Sequence, residues 1–167
     1  ALPPRPSCDH FAAILFHYRL YVLGGRVSRS SHDDVLAHTI RSTEHIYLGA
    51  IGHIQSWRSA APIPTARAGL AYAVTNDSIL VVGGESNTTQ RGHCTGPARL
   101  GKLAHKTVER FYPAADVWVR CPDLRIGRHS AAAAVFDGVL HVIGGVGCAG
   151  GRPRLRSVEQ VVLGGKC

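Results

Sequence analysis

A chain of 167 residues that is 45% hydrophobic and only 18% charged can bury a core, which excludes disorder over most of its length. No apolar run reaches the roughly 18 residues a membrane helix needs, and the opening ALPPRPSCDH lacks the basic-then-apolar layout of a secretory leader, so a soluble cytoplasmic or nuclear protein without membrane association is expected. Nineteen Lys and Arg against eleven Asp and Glu leave a formal net charge of +8, which favours acidic partners.

The first element is a hairpin. HFAAILF turns through HYR into RLYVL, and that second apolar run stops on Gly24 and Gly25. A polar stretch leads to the strand-like TEHIYLG and then to HIQSWRSA, which holds Trp57. The order then repeats: GLAYAVT turns at NDS into ILVV and stops on Gly83 and Gly84, and TVERFYP carries Tyr112 before DVWVRCP carries Trp118. In the third round SAAAAVF turns at Asp-Gly into VLHVI, stops on Gly144 and Gly145, and reaches SVEQVVL before the chain ends at Cys167. Asp-Gly between apolar runs is a strong hairpin signal, because both central residues of a type I′ turn need positive φ.

Two independent markers share one period. The first glycines of each pair are 59 and then 61 residues apart, and Trp57 and Trp118 are also 61 apart. Four short antiparallel strands per repeat describe the blade of an all-β propeller. The blades are expected at about 8–60, 67–121 and 128–167, with the last one incomplete. A propeller of this kind typically needs 4 to 8 blades to close, and a lone blade cannot cover its own apolar faces. The chain is therefore expected to belong to a longer polypeptide or to complete a ring by self-association; its lack of methionine fits an excised piece.

These residues resemble the kelch repeat: four hydrophobic residues, a double glycine, then spaced Tyr and Trp, as in ILVVGG…VERFYPAADVW. The resemblance spans essentially the whole chain and implies that the glycine pairs are structural, ending the second strand near a crowded axis, and that Trp57 and Trp118 fill space between blades. There are departures. The period of about 60 exceeds the roughly 50 usual for such repeats. Tyr47 to Trp57 takes ten residues where Tyr112 to Trp118 takes six, and Cys8 stands where the later units have Arg67 and Arg128.

The resemblance also implies a binding face, made of the loops joining strand two to strand three and the connections between blades. Those loops, at about 26–43, 85–107 and 146–157, hold ten Lys and Arg against three acidic residues, a balance of +7 out of the total +8. Arg26, Arg91, Arg99, Arg152 and Arg154 in the loops, with Arg67 and Arg128 between blades, are the candidates for holding an acidic partner peptide, because a guanidinium fork holds a carboxylate by two parallel hydrogen bonds. The alternative for the loop arginines is plain solvation, and for Arg67 and Arg128 it is anchoring of the strand each begins.

By the same resemblance the expected function is a protein-interaction module, of the kind found as the substrate receptor of cullin-based ubiquitin ligase adaptors. An actin-binding or cytoskeletal scaffold is the alternative. Propeller enzymes exist, but no phosphate loop, nucleophile elbow or H-E-x-x-H occurs, so no catalytic residue and no cofactor are assigned. His93, Cys94 and His105 lack a second close pair of ligands, so no metal site is assigned. The loops at 85–107 and 146–157 contain no aromatic residue for base stacking, which argues against nucleic acid. The five cysteines are odd in number and form no C-x-x-C pair, so unpaired thiols are expected.

Overall fold

The computed structural model describes residues 8–27, 38–48, 56–87, 102–148, 153–164 and 167. Thirteen strands and no helix occur among them, and so no helix long and apolar enough to cross a membrane. The first sheet has the order β1-β2-β3-β4, from Ala12–Phe16, Arg19–Leu23, Thr43–Tyr47 and Arg58–Ser59. The second is built the same way from β5 (Ala71–Val74), β6 (Ile79–Val82), β9 (Val108–Tyr112) and β10 (Val117–Arg120), and the third from β11 (Ala132–Phe136), β12 (Val139–Ile143) and β13 (Val158–Val162). Every pairing is antiparallel, and the opening strands β1, β5 and β11 pack side by side.

Register makes the three units equivalent residue by residue. Val22 pairs with Glu44, Val81 with Glu109 and Val142 with Glu159. Counting outward, Glu44 meets Ser59 as Glu109 meets Arg120, which puts Trp57 and Trp118 at matching positions. The Asp-Gly turn has the left-handed pair its sequence demands, at Asp137 (φ 48) and Gly138 (φ 69).

Burial follows from stacking. The run Ile79–Val82 is buried at all four positions because the second sheet has a neighbour on each face. Ile79 and Val81 join Ile14, Tyr21, Leu23 and Phe111 in the core between the first and second sheets, while Leu80 and Val82 join Leu140, Val142 and Val161 in the core between the second and third. β1, at one end of the stack, alternates buried and exposed positions instead.

The double glycines have a steric cause. Gly83 sits at φ +62, and a Cβ there would lie 2.2 Å from the Arg128 carbonyl oxygen of the next unit; Gly24, at φ +60, would meet the Arg67 carbonyl at 2.8 Å. The second glycine of the first two pairs donates its N–H to that same carbonyl, Gly25 to Arg67 at 2.9 Å and Gly84 to Arg128 at 2.8 Å. A side chain at the first position would push the units apart.

Two expectations are corrected. The cysteines are not all thiols: Cys121, just past β10, is disulfide-bonded to Cys167, which follows β13, and Cys148 is disulfide-bonded as well. The residues of the first pair are 46 apart in sequence but the stacking of the second sheet on the third brings their Cα atoms within 4.9 Å. The stretch 85–107 is not loop throughout, because Glu85–Asn87 (β7) pairs with Lys102–Ala104 (β8) in a small separate hairpin. This hairpin prolongs the backbone ladder begun by the Ala68–Glu85 bridge.

Candidate partner-binding face

The β2–β3, β6–β9 and β12–β13 connections and the segments between sheets leave the strands at one end. Two of the arginines expected to bind a partner there do not reach solvent. Arg67 and Arg128 are completely buried, and each is held as if by one template. Arg67 donates through Nη1 to the Gly83 carbonyl at 2.7 Å and the Thr107 carbonyl at 3.2 Å, and through Nη2 to the Glu109 carboxylate. Arg128 donates through Nη1 to the Gly144 carbonyl at 2.9 Å and the Ser157 carbonyl at 3.3 Å, and through Nη2 to the Glu159 carboxylate. The expected role is thereby corrected. Their forks are spent on the backbone of their own sheet, where they bind the strand-two glycine to strand three.

Burial and the charge partner oppose one another at Arg67. Loss of solvent pulls its pKa down to about 10, and the Glu109 carboxylate pushes back. The guanidinium still stays charged at any physiological pH. Glu109, 1% exposed, and Glu159 were not among the residues singled out from the sequence. Their signal was available: Glu44, Glu109 and Glu159 recur at the same strand position, and a repeated acidic residue inside an apolar strand calls for a buried partner.

Arg26 lies at the rim of this end. It bridges Asp9 and Thr39 in the backbone ladder and donates through Nε to Asp9 Oδ1 at 2.6 Å; the charge-assisted bond holds the Asp9 carboxyl below its ordinary range. Arg154 is exposed beside Val146 in the third unit, as is Arg156. Arg91, Arg99 and Arg152 lie outside the described residues, as do His93 and Cys94.

Behind this rim is a buried polar layer. Ser86 Oγ lies 2.8 Å from His105 Nε2, and Glu85 Oε2 lies 3.5 Å from His129 Nε2, whose ring also meets the Cys148 carbonyl at 2.9 Å. Burial, with the charges of Arg67 and Arg120 adding to it, drags His105 down to about 4, so it is a neutral hydrogen-bond partner near pH 7. Among the described residues no group of three or more His, Cys, Asp or Glu could hold a metal ion.

Trp118 is half-buried, stacks on Phe111 with centroids 4.9 Å apart, and donates its indole N–H to the Ala61 carbonyl of the preceding unit at 2.8 Å. Trp57 is half-buried at the matching place in the first unit, and Tyr112 lies under Arg110, whose guanidinium carbon is 4.9 Å from the ring centroid.

No family model matches the chain. Among curated proteins it is 29% identical over 150 residues to Kelch-like protein 33 of Homo sapiens, an alignment covering 90% of this chain and 24% of that protein. It is 32% identical over 97 residues to Kelch-like protein 13 of Mus musculus, covering 58% of this chain and 14% of the other. These are kelch repeats. Kelch repeat and BTB domain-containing protein 12 of Danio rerio is 24% identical over 142 residues, covering 85% of the chain and 21% of that protein. The chain thus spans about a quarter, or less, of the length of these kelch relatives.

The kelch fold also appears in solved structures. YjhT superposes with a TM-score of 0.69 at 18% identity, over 93% of this chain and 43% of that one, and a fungal alcohol oxidase of the AA5 family, solved in complex with copper, superposes with 0.65 at 17%, over 92% and 31%. The chain is an all-β kelch propeller fragment.

Proposed function

We propose that the chain is a protein-interaction module that binds an acidic segment of a partner protein at the end of the strands carrying the β2–β3, β6–β9 and β12–β13 connections. The observation behind this reading is the +7 of charge that the sequence assigns to those connections out of a total of +8. With Arg67 and Arg128 consumed inside the sheets, the exposed charge of these connections among the described residues is carried by Arg41, Lys106, Arg154 and Arg156, while Arg26 is largely covered and paired with Asp9. Exposed guanidinium groups on a common face raise encounter rates with acidic partners and supply bidentate contacts at modest energy each. The reading extends to a substrate receptor of a cullin-based ubiquitin ligase in the cytoplasm, acting by binding and not by catalysis.

The end sheets support a further element of this reading. Leu15 is 67% exposed on the first sheet, and Phe136 and Val162 are 77% and 71% exposed on the third. Apolar sheet faces of this kind need cover, and further units of the same construction would provide it, from a longer parent chain or from a second copy.

The test is titration of an acid-rich peptide, labelled with a fluorophore, into the 167-residue chain. The double substitution Arg154→Glu and Arg156→Glu is expected to weaken binding by about tenfold or more without changing the far-ultraviolet circular dichroism. Binding that is indifferent to both charge reversal and salt would defeat the proposal.

A further inference from the structure

At the opposite end of the strands, between the first and second sheets, lies a cavity of about 470 Å³. That size falls within the range of small-molecule sites. Every strand of the first unit reaches it: Phe16 from β1, Arg19 and Tyr21 from β2, His45 from β3 and Ser59 from β4. Its floor is aromatic. Tyr21 stands edge-on to Phe16 at 6.3 Å and to Phe111 at 6.2 Å, and its ring is 5.2 Å from the His45 ring.

The two walls differ in sign. On the first unit's wall Arg19 makes only a 3.4 Å contact to His45 Nδ1 and a 6.0 Å approach to the Tyr47 ring; among the described residues no carboxylate pairs with it. A smaller adjoining cavity shares Arg19 and His45 and adds Arg58, so two guanidinium groups flank His45 on this side; burial and their charges hold the imidazole below its ordinary pKa. The other wall belongs to the β9–β10 turn, with Ala114 and Asp116; Asp116 accepts the Ala61 N–H at 2.7 Å with Oδ1 alone.

The second junction shows what a filled version looks like. There Arg110 occupies the position of His45 and lies across Ser78, Asp77 and the Cys167 carbonyl. In the first unit the shorter imidazole leaves that volume open, and the positions of Ser78 and Asp77 are taken by Arg19 and Tyr18. His17 at the rim belongs to the two-residue β1–β2 turn, where His17 and Tyr18 adopt the left-handed φ, 44° and 60°, that Asp137 and Gly138 adopt in the third unit.

We propose that this cavity is a binding site for a small aromatic carboxylate bearing an N–H or O–H donor at its far end. The carboxylate engages Arg19, with His45 and Ser59 beside it; the ring lies against Tyr21 and Phe111; the donor faces Asp116. Charge and shape together select this class, since a bare apolar ring would leave both walls unpaired and a cation would meet Arg19.

The probe is indole-3-acetate, titrated calorimetrically into the 167-residue chain, with tryptamine as the charge-reversed control. Saturable binding in the range of about 0.1 to 1 mM is expected for so small a ligand, with none for tryptamine. Arg19→Gln is expected to weaken it about tenfold or more through loss of a charge-assisted pair. Ala114→Trp, on an exposed turn where folding is not at stake, is expected to fill the cavity and remove binding. Absence of saturable binding, equal affinity for tryptamine, or binding that survives both substitutions would each overturn the proposal. Neither substitution lies at the basic end, so affinity for an acidic peptide there is expected to be unchanged, and the two sites fail independently.

Discussion

Arg67 and Arg128 show how one residue type serves opposite ends according to burial. On a surface a guanidinium is a handle for carboxylates; inside these sheets it is a clamp whose donors are spent on glycine and strand-three carbonyls and one glutamate. Removing one member of such a pair leaves the other charged and dry, at a cost of about 3–5 kcal/mol, more than a typical surface ion pair by severalfold. The same layer makes stability depend on pH through His105. Its folded-state pKa is depressed to about 4 from an ordinary 6.5, so in between the unfolded chain binds a proton that the folded chain refuses. Its contribution is therefore complete above pH 6.5 and is lost as the pH falls toward 4, a change of order 3 kcal/mol. Urea midpoints measured across this range are expected to fall for the parent chain and to flatten in His105→Gln, whose amide can still meet Ser86. Parallel slopes would show that other groups carry the acid sensitivity.

Among the elements, β6 best displays why pattern and position agree. A four-residue apolar run with no alternation suits a strand with cover on both faces, and the strand of the middle sheet has it. The hairpins, the glycine pairs and the matching tryptophans were legible because each is a local pattern repeated at a fixed period. The Arg–Glu clamps were not, because pairing residues 42 and 31 positions apart requires the register of strands two and three. The hairpin β7–β8 was not legible either, since its polar residues carry no alternation. Glycine gives the sharpest comparison at this scale. Gly83 and Gly144 have nearly the same φ, 62° and 64°, but a Cβ meets the Arg128 carbonyl at 2.2 Å in one case and nothing closer than the Leu155 carbonyl at 3.4 Å in the other. Gly144→Ala is expected to cost about 1–2 kcal/mol from backbone conformation alone, and Gly83→Ala to cost clearly more, read from denaturant midpoints. Equal costs would mean that Gly144 is as closely covered as Gly83, or that the steric account of the pair is wrong.

For the whole molecule, three sheets stack through two apolar cores, and a covalent tie from Cys121 to Cys167 holds the third unit to the second. By the chain-entropy estimate a loop closed over 46 residues stabilises the fold by about 4 kcal/mol. No spacing rule revealed that pairing, because it depends on how one sheet lies on the next. The basic end and the aromatic cavity likewise sit at opposite ends of the same strands, so a single stack can present two chemically different surfaces. All of this depends on units about sixty residues apart folding as equivalent sheets. Cross-strand backbone nuclear Overhauser effects in the isotope-labelled chain test it most directly. Contacts are expected at Val22 with Glu44, at Val81 with Glu109 and at Val142 with Glu159; their absence at any of the three positions, or a shift of one register step, would contradict the account.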